Sequence, residues 1–222
     1  NDDILLVEKL SLGGFTYNTT DGIYFDTSKF ADYGKLGNIA MVSVNDNHSR
    51  IGINQEKRNP RDFAVWKFNN ELGYEASFGN GFPGWHIECS AMSVKYLGAE
   101  FDIHTGGIDH IPVHHNNEIA QSICAGYPFA KYWMHNAFLT IGNDKMAKSD
   151  ENFIRLGTLI EKNIQPLAFR YLLLTARYST QLQFSWDALE GAQTALKKMR
   201  LKLQETNEIK LNHPEILKMN EI

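Results

Sequence analysis

The sequence predicts an α/β fold with a helical bundle appended. Three observations carry the prediction. Helix-like and short apolar strand-like segments alternate over residues 85–141, the pattern is helical throughout from about Thr158 to Leu203, and a glycine- and proline-rich stretch, GNGFPG (79–84), leads into the first helix of the alternating part. The alternation reads as half of a parallel sheet.

The elements follow in order. Ile4, Leu5, Val7, Leu10 and Leu12 fall roughly at helical spacing, and Gly13-Gly14 stops the run. Phe15-Thr16-Tyr17 and Ile23-Tyr24-Phe25-Asp26 flank the polar turn Asn18 to Gly22, a hairpin pattern. Ser28 to Leu36 is turn-rich, and Ser43 to Pro60 is polar and mixed in charge, an exposed linker. Asp62 to Lys67 is apolar and expected to be buried. A helix is expected over Trp85 to Leu97, then a short buried strand at Phe101 to His104 with Thr105-Gly106-Gly107 as its exit loop. His114 to Ala125 reads as a second helix, and Trp133 to Ile141 as a strand or two. Leu167, Tyr171 to Leu174, Ala188, Leu189, Ala192, Ala195, Leu196, Met199 and Leu203 mark the helical bundle.

The bulk numbers narrow the function classes. With 222 residues and 43% hydrophobic content, the chain can form one large domain or two small ones with a real core. A formal charge of -4 gives no global basic footprint for nucleic acid, so any RNA contact is a local patch. Two cysteines, Cys89 and Cys124, exclude a disulfide framework and fit a reducing compartment. No apolar run approaches the ~18 residues of a membrane span and no signal peptide opens the chain, so a cytoplasmic location is expected. The chain starts at Asn1, inside a helical pattern, and is expected to be a piece of a longer protein.

Chemistry concentrates in three places. His114 and Glu118 are four apart, which on a helix puts both on one face. Cys89 lies 25 positions before His114, on the preceding helix. Thiol, imidazole and carboxylate are zinc donors, and three protein ligands with one open position is the catalytic pattern. The bland readings stay open beside it: a cysteine on an apolar helix is ordinarily a small core residue, and a His/Glu pair four apart is ordinarily a solvated pair. His115 is a rival ligand expected on a different face from Glu118, while His86, His104 and His110 read as hydrogen-bonding or core histidines. The second place is Lys145-Met146-Ala147-Lys148-Ser149, a two-lysine loop whose amines could follow charge developing on a leaving phosphate, or form an ordinary exposed turn. The third is Trp85, beside the metal cysteine, which could wall a small-molecule pocket but on composition reads as core. A thiophilic metal beside a phosphate-handling loop points to an enzyme that activates a sulfur-containing substrate with a nucleotide.

Lys145 to Ser149 resembles the KMSKS signature of class I aminoacyl-tRNA synthetases. GWHIECSAMS (84–93), FDIHTGGID (101–109), HHNNEIAQS (114–122), YWMH (132–135) and KMAKS together resemble the cysteinyl-tRNA synthetases, and DYGKL (32–36) and NPRDFAVWK (59–67) extend the likeness toward the N-terminus. It covers nearly the whole chain and weakens after about Lys202. The resemblance implies the C-terminal half of a class I synthetase Rossmann-like nucleotide-binding fold, with an inserted connective segment and an appended helical bundle. The implied division is 1–83 for the connective insertion, 84–152 for the second half of the catalytic domain with its lysine loop, 153–205 for a helical stem-contact bundle, and 206–222 for the start of a C-terminal helical region.

The resemblance also implies a reaction. Cysteine and ATP, with Mg2+, give cysteinyl-adenylate and pyrophosphate, and the cysteinyl group then passes to tRNA(Cys). Cys89, His114 and Glu118 would hold zinc, Lys148 would touch ATP with Lys145 assisting, Trp85 would line the amino-acid pocket, and His104 would lie near the substrate. The enzyme would be monomeric and without a membrane partner. A pocket relying on size alone separates cysteine from serine by only ~10–200-fold, whereas metal–sulfur bonding discriminates by ligand softness. Two departures stand out: Ala147 replaces the middle serine of the signature, and Asn116 stands where the family commonly has Glu. The family's N-terminal half, with a further zinc cysteine and the HIGH-type ATP motif, does not occur in these residues, so the stretch by itself is expected to be inactive. Two alternatives remain: a cysteine ligase of mycothiol synthesis, and a noncatalytic zinc-binding module derived from a synthetase.

Overall fold

The computed structural model describes residues 2–41, 54–142, 144–145 and 154–206. Its contacts divide the chain into two compact units, 1–135 and 136–222. The expected linker at 43–60 falls largely outside the described residues. Among the described residues no helix is long and apolar enough to cross a membrane.

The first unit opens with α1 (Asp2–Leu12), whose first turn carries Asp2 and Asp3 and whose last turn carries Lys9, each matching the sign of the helix dipole there. Leu6, Val7 and Leu10 form its buried face. Gly14, at φ 75°, ends it, and the Phe15 amide reaches back to the Leu10 carbonyl. The hairpin follows as β1 (Thr16–Thr19) and β2 (Gly22–Phe25), with Thr19 opposite Gly22. The apolar segment at 62–67 is β3 (Phe63–Phe68), and β4 (Gly81–Pro83) completes an antiparallel sheet of order β1-β2-β3-β4. Val7, Leu10, Phe25, Val65, Trp66 and Ile87 form its core with the helices.

Helix α2 (Trp85–Leu97) has the bounds expected from the sequence. Gly84 is required before it, because a Cβ there would sit 2.0 Å from the Ala64 carbonyl oxygen, and Gly98, at φ 95°, ends it. Strand β5 (Glu100–Gly107) is longer than expected and absorbs the supposed exit loop. The second helix begins later than expected. A 3-10 turn (Ile108–His110) and a π turn (Ile111–His115) precede α3 (Asn116–Cys124). Strand β6 (Phe129–Asn136) pairs with β5 in a two-stranded sheet.

The second unit holds β7 (Leu139–Ile141), flanked by β8 (Asp144–Lys145), which is antiparallel to it, and β9 (Leu182–Phe184), which is parallel to it. The parallel partner of β7 thus lies beyond residue 141, not within the 85–141 alternation. Helices α4 (Leu156–Glu161), α5 (Pro166–Leu174) and α6 (Trp186–Thr206) pack with β9 around Leu159, Ile164, Ala168, Leu172, Phe184, Leu189 and Ala192. The helical reading of 158–203 is corrected here: β9 interrupts it. Leu182-Gln183-Phe184 buries only Phe184, too brief an alternation to stand out between two helices.

Candidate metal centre

Helices α2 and α3 lie side by side, joined by a buried polar seam. The Gln121 amide donates to the His86 carbonyl (2.5 Å) and to Ser90 Oγ (2.6 Å), and the Ser122 hydroxyl donates to Ser90 Oγ (3.0 Å). The seam holds the second turn of α2, with Cys89, against the first turn of α3, with Glu118. His114 joins them from the π turn. One ligand atom from each of Cys89, His114 and Glu118 lies within 4.8 Å of the others.

Glu118 is the centre of the cluster and is fully buried. Its Oε2 lies 3.2 Å from His104 Nε2, 3.5 Å from His114 Nε2 and 3.8 Å from His115 Nε2. Its Oε1 has no hydrogen-bond partner in the structure. Burial pushes the carboxyl above its usual range, with His104 opposing. Burial also pushes the Cys89 thiol up to about 11, with the charges of Glu118 and Glu88 adding to it. A divalent cation at this point would reverse both effects, because thiol and carboxyl ligands bind deprotonated. The imidazoles are already in the ligating form: burial, then the neighbouring histidines, lowers His114 to about 4 and His115 to about 3. A sulfur, a neutral imidazole and a buried carboxylate with a spare oxygen form a donor set that fits zinc. A second trio, His104, His115 and Glu118, also converges within 4.8 Å.

His86 contributes a role that the sequence did not reveal. Its Nδ1 lies 2.8 Å from His114 Nδ1, so one ring donates and the other accepts. With His114 Nδ1–H as donor, the His114 Nε2 lone pair faces Glu118, the orientation a ligating histidine needs. His115 corrects an expectation. It was expected on a different face from Glu118, but residues three apart are neighbours on a helical backbone, and its Nε2 lies 3.8 Å from the carboxylate while its Nδ1 pairs with His135 Nε2 at 2.7 Å. Trp85 corrects another. It is 53% exposed, not core, and its ring centroid lies 4.2 Å from that of His114. His104 hydrogen-bonds Glu118 and packs against Phe101, Phe129 and Trp133. The backbone of Lys145 pairs with Thr140, and Lys148 lies outside the described residues.

Comparison with known proteins gives a consistent lineage. The model of the class I (C) tRNA synthetase catalytic domain matches residues 2–194. Cysteine–tRNA ligase 1 of Burkholderia lata is 48% identical over 206 residues, 90% of this chain and 43% of that protein. Cysteine–tRNA ligase of Methanococcus aeolicus is 42% identical over 225 residues, covering 100% of this chain and 46% of the relative. The chain therefore spans less than half the length of these relatives. Among solved structures, Mycobacterium tuberculosis methionyl-tRNA synthetase in complex with methionyl-adenylate superposes with a TM-score of 0.59 at 15% identity, over 85% of this chain and 48% of that one, which shows a shared fold. With the family model matching residues 2–194, the chain belongs to the class I (C) tRNA synthetases by its catalytic domain.

Proposed function

We propose that the protein carrying this chain joins cysteine to tRNA(Cys) at the expense of ATP, through a cysteinyl-adenylate, and that Cys89, His114 and Glu118 hold a zinc ion that selects the substrate. The observation that carries the reading is the convergence of these three ligand atoms on a buried carboxylate with a free oxygen. The relatives at 42–48% identity bear the name cysteine–tRNA ligase, which favours tRNA over an amino sugar as the acceptor.

Zinc, when bound, supplies a soft Lewis-acid position that takes the thiolate of cysteine in preference to the hydroxyl of serine. The chain's own residues do the rest. Glu118 and the Cys89 thiolate would supply the negative charge of the ligand set, and His86 fixes the ring of His114. Trp85 closes the apolar side of the pocket and sheds water from it. His104, hydrogen-bonded to Glu118, would lie near the substrate. The cysteine carboxylate attacks the α-phosphate of Mg2+-bound ATP and pyrophosphate leaves. Lys148, with Lys145, neutralises charge growing on that leaving group. A ribose hydroxyl of the tRNA terminus then takes the acyl group and AMP leaves. The reading places the enzyme in the cytoplasm as a monomer, with the divisions 1–83, 84–152, 153–205 and 206–222.

Metal analysis and pyrophosphate exchange test this in the full gene product. One zinc per chain is expected in the wild type and a clear loss in Cys89→Ser; equal, stoichiometric zinc in both would remove Cys89 from the ligand set. Lys148→Ala is expected to slow adenylate formation at least ~10-fold with the KM for cysteine changed little, the pattern of an interaction made in the transition state.

A further inference from the structure

We propose that His104, His115 and Glu118 form a second divalent-cation position, filled by zinc in excess and inhibitory when filled. It shares Glu118 with the zinc site proposed above but needs neither Cys89 nor His114. The donor atoms of the three residues converge within 4.8 Å. His104 Nε2 and His115 Nε2 lie 3.2 Å and 3.8 Å from Glu118 Oε2. Two donors on one tetrahedral zinc, each about 2.0–2.1 Å from it, stand about 3.3 Å apart, so small side-chain shifts close the set. Glu118 has an oxygen for each ion, since its Oε1 is buried and has no hydrogen-bond partner in the structure. Paired cations about 3.5–4 Å apart are an established arrangement in two-metal sites, and a shared carboxylate spans that distance.

Three further features fit an ion at this point. His115 Nδ1 lies 2.7 Å from His135 Nε2, as His114 Nδ1 lies 2.8 Å from His86 Nδ1. With His115 Nδ1–H as the donor, the His115 Nε2 lone pair is free to ligate, and His135 is the positioning residue of this set. Gly106 keeps the approach to that nitrogen open, because a Cβ there would lie 2.7 Å from His115 Nε2. The Trp133 ring packs on both imidazoles, its centroid 4.8 Å from each, and limits their rotation. Two imidazoles and a carboxylate suit zinc, but they lack the thiolate of the first set. Zinc therefore fills this position only after the first. A filled position would hold His104, the residue assigned beside the substrate, and would draw on the shared Glu118. Excess zinc should then slow adenylate formation.

The test titrates zinc, and cobalt as its visible stand-in, into the metal-free full gene product. The variants are Cys89→Ser, His104→Gln, His115→Gln and His135→Phe, the last keeping a ring against Trp133 while removing the nitrogen that pairs with His115. By equilibrium dialysis, wild type is expected to take up one more ion than His104→Gln or His115→Gln. In cobalt, the first ion brings a sulfur-to-metal charge-transfer band and the second adds ligand-field bands alone. Cys89→Ser should lose the sulfur band and keep the second ion. His135→Phe should weaken the second ion about tenfold, as when an outer partner of a metal site is lost, and raise the zinc that halves pyrophosphate exchange by the same factor. Melting of the metal-free proteins separates loss of a site from loss of the fold; should the buried His115→Gln not fold, His104→Gln and His135→Phe carry the test. Equal uptake in wild type and the glutamine variants, with the sulfur band present, would overturn the second position while the zinc reading stands. Uptake without a sulfur band, kept in Cys89→Ser and lost in His104→Gln, would defeat the zinc reading and leave this position in place. Full exchange activity with both ions bound would overturn the inhibitory role.

Discussion

Between α2 and α3 the first unit buries His86, Ser90, His114, His115, Asn116, Asn117, Glu118, Gln121 and Ser122, whereas the described interior of the second unit is Leu159, Ile164, Ala168, Leu172, Phe184, Leu189 and Ala192, with Thr140 as its buried polar residue. The two interiors obey different rules. An apolar core stabilises roughly in proportion to the area it removes from water. A buried polar cluster at best recovers through hydrogen bonds what desolvation costs, and each unmatched atom is a net loss. Glu118 Oε1 is such an atom. The comparison separates the parts of the molecule that hold the fold from the parts that hold a ligand, and substitutions in the two interiors should therefore fail in different ways.

The largest effect on folding is expected in the apolar interior. Leu189 is fully buried among α5, α6 and β9. Leu189→Ala should cost about 2–5 kcal/mol, the transfer loss plus the cavity left behind. Denaturant unfolding measures it, and zinc content should not change, because each described candidate ligand belongs to residues 1–135. Loss of zinc in this variant would show that the two interiors are not independent.

Glu118→Gln is the opposite case. It removes one of the two anionic ligands and is expected to weaken zinc binding about 100-fold, about 2.8 kcal/mol at ~1.4 kcal/mol per decade. Without metal the variant should be at least as stable as the wild type, because a neutral amide avoids the desolvation that pushes the Glu118 carboxyl upward. Chelator-treated protein of both kinds, unfolded side by side, decides this. A metal-free variant clearly less stable than wild type would make Glu118 a structural residue and blur the contrast.

The same contrast explains what could be read from the sequence. Helix α2 was legible to the residue because glycines bracket it, Gly84 for close approach to Ala64 and Gly98 for its positive φ. The trio Cys89, His114 and Glu118 was visible because its residue types are rare together and its spacing crosses only two helices. The π turn at 111–115 was not visible, since an inserted residue leaves no period of its own, and the expectation for His115 overlooked that residues three apart are neighbours on a helical backbone. The pairing of His86 with His114 depends on how α2 meets α3, and Trp85 was misplaced as core because composition says nothing about which side of a helix end faces solvent. Strand β9 was hidden inside a run of helix formers.

Gly106→Ala probes the wall between β5 and the cluster. The added Cβ would lie 2.5 Å from His115 Cε1 and 2.9 Å from His110 Nδ1. His115 is fully buried against Trp133 and His135 and has little room to retreat. Overpacking of this kind costs about 1–3 kcal/mol. Thermal unfolding measures the cost, and unchanged stability would show that the histidines can yield without strain.

Ser122→Ala carries the smallest expected effect and asks the sharpest question about the polar seam. Ser122 donates to Ser90 Oγ, and Ser90 also receives the Gln121 amide, so losing one hydroxyl leaves Ser90 with a partner. The cost should then be that of one neutral hydrogen bond, about 0.5–1.5 kcal/mol, with zinc affinity within twofold of wild type. Gln121→Leu is the control. It takes the side-chain donor away from both the His86 carbonyl and Ser90 Oγ at once, and the larger loss it causes should include zinc affinity, because that carbonyl belongs to the residue that orients His114. If Ser122→Ala weakened zinc as much as Gln121→Leu, the seam would act as one cooperative network. The cluster's position would then depend on every hydroxyl in it, not on the glutamine that spans the two helices.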